Sequence, residues 1–316
     1  MKNTEYAPVL VTTLNRYSHL KVLVESLAKC PEAKNTELLI GLDYPPSEKY
    51  VEGWNKIRGY LPTITGFKKV TVIEADYNLG PRGNANALRE YAKSRGCSRF
   101  ICSEDDNEFS PNFLAYMNWG LEKYKDDDRV LAISGYNYPL DMTGYDKEYY
   151  FSHEFSAFGW GMTMEKYGII ETDVLRLSFI DNLVKNPMAL IKLTIKCGWR
   201  LTRLAFELHK KRLVYGDGYL TMYSYLKNKY CVFPTLSKVR NHGFDGSGVH
   251  CGDDEHNFSL FENQKIDMRS EYFDLEDNPV MVDTITKNKQ KRFHRWNSAP
   301  SLKRLFNMFN GLSNYS

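Results

Sequence analysis

Five short apolar runs, each followed by a longer amphipathic stretch, constrain this chain more than any other feature. They are Val9-Leu10-Val11-Thr12-Thr13-Leu14, Leu38-Leu39-Ile40-Gly41-Leu42, Val70-Thr71-Val72-Ile73, Arg99-Phe100-Ile101-Cys102 and Val130-Leu131-Ala132-Ile133-Ser134. Runs this short, with little polar alternation, predict strands buried on both faces. After the first, Leu20, Leu23, Val24 and Leu27 recur at helical spacing, with Ser18 as a candidate N-cap. Helices are also expected after Pro45-Pro46-Ser47, from Asn84 to Ser94, and from Pro111 to Tyr124. Strands alternating with helices form βαβ units. The expected fold is therefore α/β, a mainly parallel sheet with helices on both faces.

The second half has a different pattern. From about Val174 to Leu213 the chain reads as helical, with Leu190, Leu193, Thr194, Cys197, Leu201, Leu204 and Leu208 at helical spacing. Lys192, Lys196, Arg200, Arg203, Lys210, Lys211 and Arg212 fill the remaining positions. Such a segment either packs on its own domain or lies flat on anionic lipid. A helix to Lys229, a strand at Cys231-Val232-Phe233 and a Gly/His-rich loop follow. The expected organisation is one catalytic-type domain over 1–260, with a helical insertion at about 174–213, and an extension over 261–316.

Composition narrows the class. Of the 316 residues, 42% are hydrophobic and 26% charged, which excludes a disordered chain. No stretch is long and apolar enough for a conventional membrane span, and the N-terminus lacks a secretory core, so the expected compartment is the cytoplasm. The six cysteines show no C-x-x-C spacing and read as reduced thiols. The net charge of +3 conceals an asymmetry: after Asp283 there is no acid, and 284–316 carries seven Lys and Arg. Such a tail is either solvated or seeks an anionic partner. Leu302, Leu305, Phe306 and Phe309 would share one helical face, which suits peripheral docking on the inner leaflet. Few aromatics beyond Phe293 and Trp296 interleave its charges, so nucleic acid is not an expected partner.

Ligands of open α/β sheets bind beyond the carboxyl ends of the strands. Asn15-Arg16, Asp43, Asn78 with Gly80, and Glu104-Asp105-Asp106 follow strands one to four. Three adjacent carboxylates repel one another and need solvent, hydrogen bonds or a hard cation such as Mg²⁺ or Mn²⁺, which bridges readily to diphosphate. In Asn78-Leu79-Gly80-Pro81-Arg82-Gly83-Asn84, the glycines could admit a phosphate at a helix start, with Arg82 adding charge, or simply make a turn. The spacing fits neither the dinucleotide nor the P-loop pattern. Asp217, between Gly216 and Gly218, is either an N-cap or a general base. The His242–His250 loop is either a lid bringing a histidine near a metal or a surface loop. Phe158-Gly159-Trp160-Gly161 either meets a sugar ring or turns against the core.

Taken in order, these residues resemble GT-A-fold inverting glycosyltransferases, of the N-acetylglucosaminyltransferase I type and family-2 bacterial enzymes. The resemblance covers about 8–251. It rests on Val11-Thr12-Thr13-Leu14-Asn15-Arg16, Glu104-Asp105-Asp106 with Ser110-Pro111-Asn112-Phe113, Ser134-Gly135-Tyr136-Asn137, Phe158-Gly159-Trp160-Gly161, Tyr215-Gly216-Asp217-Gly218 and the loop to His250. It implies a nucleotide-diphospho-sugar donor, a glycan or lipid-linked acceptor, and Mn²⁺ or Mg²⁺ on Asp106, with His250 nearby. Surface polysaccharide synthesis is the implied setting. Thr12, Asn15, Arg16, Asp43, Asn78, Arg82, Asn84, Glu104 and Asp105 would surround the donor nucleotide. Trp160 and Gly161 would meet the sugar or acceptor, and Asp217 would be the base. The family's Trp-Asp-Asp-Trp string is Tyr-Gly-Asp-Gly here, which implies a different acceptor pocket. A sugar nucleotidyltransferase would need a Gly-rich signature where Asn15-Arg16-Tyr17-Ser18 stands. A non-catalytic carbohydrate-binding protein would bind a nucleotide sugar without turning it over.

Overall fold

All five expected strands form, and they lie in one eight-stranded sheet. The computed structural model describes residues 6–140, 142–143, 145–247 and 264–269. His250 and the basic tail over 284–316 lie outside the described residues. The chain divides into two units, the second made of Ser152–Phe155 and Tyr167–Tyr230 among the described residues.

The first unit carries the sheet. Its early elements are β1 (Val9–Thr13), α1 (Tyr17–Leu27), β2 (Glu37–Leu42), α2 (Val51–Tyr60), β3 (Lys69–Glu74), α3 (Gly80–Ser94) and β4 (Arg99–Glu104). There follow β5 (Asn107–Phe109), α4 (Phe113–Lys123), β6 (Val130–Ser134), β7 (Tyr149–Ser152), β8 (Trp160–Thr163), β9 (Tyr230–Pro234) and β10 (Val239–Asn241). The strand order is β3-β2-β1-β4-β8-β6-β9-β7. The run β3-β2-β1-β4 is parallel, with Thr12 opposite both Gly41 and Glu104. β8 then pairs antiparallel with both β4 and β6.

Alternation along β2 shows how the two faces are covered. Ile40 and Leu42 share a core with Leu20, Leu23, Val24 and Leu27 of α1 and Trp54 and Ile57 of α2. A Cβ on Gly41 would fall 2.2 Å from Asn84 Oδ1 and 3.1 Å from Leu88 Cδ1, so α3 sits on the opposite face. The expected helices on both faces of an α/β sheet are therefore present.

Several local expectations change. The residue at the N-cap of α1 is Arg16, with no side-chain cap, and Ser18 is an exposed first-turn residue. α3 starts at Gly80 rather than Asn84, because Gly80 takes φ +70° and Pro81 fits the first turn. Trp160 and Gly161 are strand residues inside β8, not a turn. A Cβ on Gly161 would lie 3.1 Å from Leu121 and Met117 atoms, so the glycine lets α4 approach the sheet. Glu104 ends β4, and the chain then enters β5, which pairs antiparallel with β10 in a separate ribbon.

The second unit is helical. α5 (Met164–Asp173) leads into α6 (Leu177–Val184), α7 (Pro187–Cys197), α8 (Trp199–Lys211) and α9 (Gly216–Lys227). The apolar stripe read from the sequence is buried at Leu190, Leu193, Cys197, Leu201 and Leu208. Asn186 caps α7 by accepting from Ala189 N at 3.1 Å, with Pro187 at the first position. Gly198 at φ +74° separates α7 from α8.

Candidate functional site

The carboxyl ends of β1 and β4 bring three charges together. Thr13, Asp105 and Asp106 are buried there, and Arg16 enters from the start of α1. One nitrogen of Arg16, Nη2, donates to Asp105 and lies 3.0 Å from Asp106 Oδ2. Thr13 Oγ1 donates to Asp105 Oδ2 at 2.8 Å. Burial works against the charge of Arg16, but the two carboxylates outweigh it and hold the guanidinium above its ordinary pKa. Burial raises the Asp105 carboxyl, Arg16 opposes the rise, and neighbouring Asp106 adds to it.

The β5–β10 ribbon completes the surroundings of Asp106. Asn241 Nδ2 donates to Asp106 Oδ1 at 2.8 Å and to Asn107 Oδ1 at 3.0 Å. His242 N donates to the Asp106 carbonyl at 2.8 Å. A Cβ on Gly243 would sit 2.3 Å from Asp106 Oδ2, so only glycine lets the chain pass so close to that carboxylate. Next outward, His242 Nε2 lies 3.0 Å from Glu108 Oε2, and Arg240 pairs with the same oxygen at 3.1 Å. His19 of α1 reaches Asp245 at 3.2 Å. Burial opposes ionisation of Asp245, yet Ser247, His19 and Arg16 together hold its carboxyl below the usual range.

Asp43, at the end of β2, organises a second corner. Its backbone N donates to Thr13 O at 3.0 Å, and its Oδ1 accepts from Tyr44 N at 2.9 Å and Leu79 N at 2.8 Å. Asn78 Nδ2 donates to Tyr44 O at 2.7 Å and reaches Asp43 Oδ2 at 3.3 Å. The approach to α3 is thus fastened to the ends of β1 and β2.

Other residues singled out in the sequence lie elsewhere. Glu104 is exposed at the end of β4, and Arg82 is exposed on the first turn of α3. Thr12 is half-buried within β1. The Asn15 carbonyl is packed against α2, 2.2 Å from where a Gly53 Cβ would be. Asn84 is buried and donates to Gly41 O at 2.8 Å, fixing α3 to β2. Trp160 is not an open sugar platform. It is buried, edge-to-face with Phe100 at 5.4 Å, because β8 lies between two strands. In the helical unit, Asp217 is the half-buried second residue of α9, and the N-cap is Tyr215. The capping alternative for Asp217 therefore gives way to a first-turn carboxylate facing the positive end of the helix. Thr13 was visible only as part of an apolar run. Asn241, His19 and Asp245 carry no local sequence signal that links them to the acidic triplet.

The donor set around Asp106 can be tested against a divalent ion. Among the described residues no three His, Cys, Asp or Glu side chains form a metal-holding group. Asp105 accepts from Thr13 and Arg16, and Asp106 from Asn241 beside Arg16, so each carboxylate oxygen carries one described contact and keeps a further lone pair. One carboxylate does not make a closed protein cage. It does fit the mode in which Mg²⁺ or Mn²⁺ is held by one or two carboxylates and completed by substrate phosphates.

No protein-family model and no curated protein matches the chain. Solved structures similar to it include the mannosyltransferase PcManGT from Pyrobaculum calidifontis in complex with GDP-Man and Mn²⁺. That match has 13% identity, covers 54% of this chain and 47% of that one, and has a TM-score of 0.38. TarS from S. aureus matches at 14% identity over 54% of this chain and 30% of its own, with a TM-score of 0.35. TarS 1-349 in complex with UDP-GlcNAc matches at 14% identity over 54% and 48%, with a TM-score of 0.36. The matched region spans about half or less of each of these proteins.

Proposed function

We propose that the chain is an inverting, metal-dependent glycosyltransferase. It would move a sugar from a nucleotide-diphospho-sugar to a hydroxyl of a glycan or lipid-linked acceptor, in surface polysaccharide synthesis. One observation carries the reading: at the carboxyl ends of parallel strands, two buried carboxylates share one guanidinium. That arrangement leaves an excess of negative charge where α/β sheets bind ligands. A cation brought in with a diphosphate would relieve it.

The residues take roles accordingly. Arg16 and Thr13 hold Asp105, and Asn241 with Gly243 fixes the Asp106 carboxylate. Asp106 would hold Mn²⁺ or Mg²⁺, which when bound offsets charge developing on the leaving diphosphate. The corner built on Asp43 and Asn78 would receive the nucleotide. Asp217 would accept the acceptor hydroxyl proton on a carboxylate oxygen, a contribution of roughly 10²–10⁴-fold. One direct displacement inverts the anomeric centre. The catalytic domain would span 1–260, with 261–316 as an extension, and the enzyme would work in the cytoplasm or on the inner face of the cell membrane.

The test is a thermal-shift series with UDP and GDP, with and without Mn²⁺, followed by nucleotide-sugar turnover. A nucleotide at 100 times its Kd should stabilise the protein by about 2.7 kcal/mol. Stabilisation should require Mn²⁺ and vanish in Asp106→Asn. Asp217→Asn should keep the shift and lose turnover. Stabilisation without turnover in the unaltered protein would instead support a carbohydrate-binding role, and no shift under any condition would end the donor-site reading.

A further inference from the structure

α7 is apolar on both sides. Its inner face buries Leu190, Leu193 and Cys197 against neighbouring helices of the same unit. Its outer face exposes Met188, Ile191 and Ile195 to 72%, 51% and 80%. These three lie at i, i+3 and i+7, so they form one ridge. Among the described residues there are twelve exposed large hydrophobic side chains, and three of them fall on this single helix. Scattered apolar residues on a surface need no explanation, but a clustered ridge does.

The rim of the ridge is cationic. Lys185 precedes α7 in the chain, and Lys192 and Lys196 lie on α7 itself. Lys192 Nζ donates to Leu226 O at 2.6 Å and Lys196 Nζ to Tyr225 O at 3.1 Å. Both ammonium groups therefore sit at the carboxyl end of α9, beside Lys227 and Lys229. No Asp or Glu occurs in 182–206 or 218–230. The acids that flank 182–206 are paired, Asp181 with His209 and Arg212, and Glu207 with Lys211; Asp217 lies at the opposite end of α9 from Lys227.

We propose that the outer face of α7 docks this unit on an anionic phospholipid bilayer. The ridge would enter the boundary between headgroups and acyl chains, and the lysines would meet lipid phosphates. The helix lies flat rather than crossing: no helix among the described residues is long and apolar enough to span a membrane. A second copy of the chain is a poorer occupant, because a two-fold contact would bring the same lysine rim against itself. The inference does not rest on the donor-site reading.

The experiment is co-sedimentation of the full chain with phosphatidylcholine vesicles, with and without phosphatidylglycerol. Binding should require phosphatidylglycerol and weaken as salt screens the charges. Ile191→Ser combined with Ile195→Ser, at exposed positions, should leave the melting temperature unchanged and weaken binding by about tenfold or more. Lys185→Glu combined with Lys227→Glu should do the same without touching the ridge. Binding unchanged in both double variants would assign membrane contact to another part of the chain and overturn the proposal. So would no binding to any vesicle, or a dimer in sedimentation velocity that the isoleucine variant dissociates.

Discussion

Both units bury carboxylates against an arginine: Glu154 on Arg200 in the helical unit, and Asp105 with Asp106 on Arg16 in the sheet unit. In the helical unit the buried Glu154 pairs with Arg200 and accepts from the Tyr225 hydroxyl at 3.3 Å. Burial raises the Tyr225 hydroxyl, and the Glu154 charge adds to that rise. In the sheet unit Asp105 and Asp106 share one guanidinium, that of Arg16, among the described residues. Two buried carboxylates on one guanidinium keep a charge that a proton, solvent or a ligand must answer, at a high desolvation cost if nothing comes. Two carboxylates on one guanidinium thus mark the sheet-unit cluster as the candidate binding site, although burial is similar in both.

Rate measurements give the largest effect. Asp106→Asn should lower transfer by about 10²–10³-fold, as removal of an electrostatic stabiliser does, while the melting temperature changes little. Glu154→Gln should not alter donor binding. Turnover that survives the first change, or fails with the second, would break the distinction between the two regions.

Stability should show the reverse order. Arg200→Met removes a charged partner of the buried Glu154 and should cost about 3–5 kcal/mol in urea unfolding. Adding Glu154→Leu should recover much of that loss. If the double variant is as unstable as the single one, the pair is not self-contained.

A third cluster sharpens the comparison through pH. Lys238 and Arg269 both contact Asp267, and Asn112 Nδ2 donates to it at 3.0 Å. Burial opposes ionisation of Asp267, but Arg269, Lys238 and Asn112 outweigh it and hold the carboxyl well below its ordinary value. With a depressed native pKa, the stabilisation is present above the unfolded value of about 3.9 and is lost as pH falls below it. Asp267→Asn should therefore be less stable than the unaltered protein at pH 7, by about 1–3 kcal/mol, with the gap closing toward pH 2. A gap independent of pH would show that the cluster acts by packing rather than charge.

A stability effect of similar size is expected at Thr13. Thr13→Val removes the hydroxyl that donates to Asp105 and should cost about 1.5–3 kcal/mol, without loss of Mn²⁺-dependent nucleotide binding. Loss of that binding would place Thr13 in the ligand site itself.

The parallel half of the sheet was legible because its strands are buried on both faces and read as unbroken apolar runs. β5 and β10 were not, since Asn107-Glu108-Phe109 and Val239-Arg240-Asn241 are three residues long and each has two polar residues. β8 was hidden by its glycine. The acidic triplet could be placed at a strand end, but the sequence could not say that Arg16 bridges two of its members. Nor could it place Asn241 beside Asp106. The structural bond of Asn84 was hidden for a related reason: its partner is the carbonyl of Gly41, whose lack of a side chain matters only once α3 lies on β2. The helical stripe of 190–208 was visible, yet the outward ridge of α7 needed the structure to show which face was already used.

The β5–β10 ribbon also sets an order of events during folding. Asn241 meets Asp106 across 135 positions of sequence, with the whole helical unit between them. Loop closure on that scale comes late, after the neighbouring strands β1, β2 and β3 have found one another. The acidic pair should thus be held by Arg16 well before Gly243 closes beside it. Kinetically, Asn241→Ala should speed unfolding and leave the refolding rate nearly unchanged, whereas Ile40→Val in β2 should slow refolding. A chain emerging from the ribosome would expose an unfinished site until residue 243 is made, and the last strand of the ribbon would act as its timer.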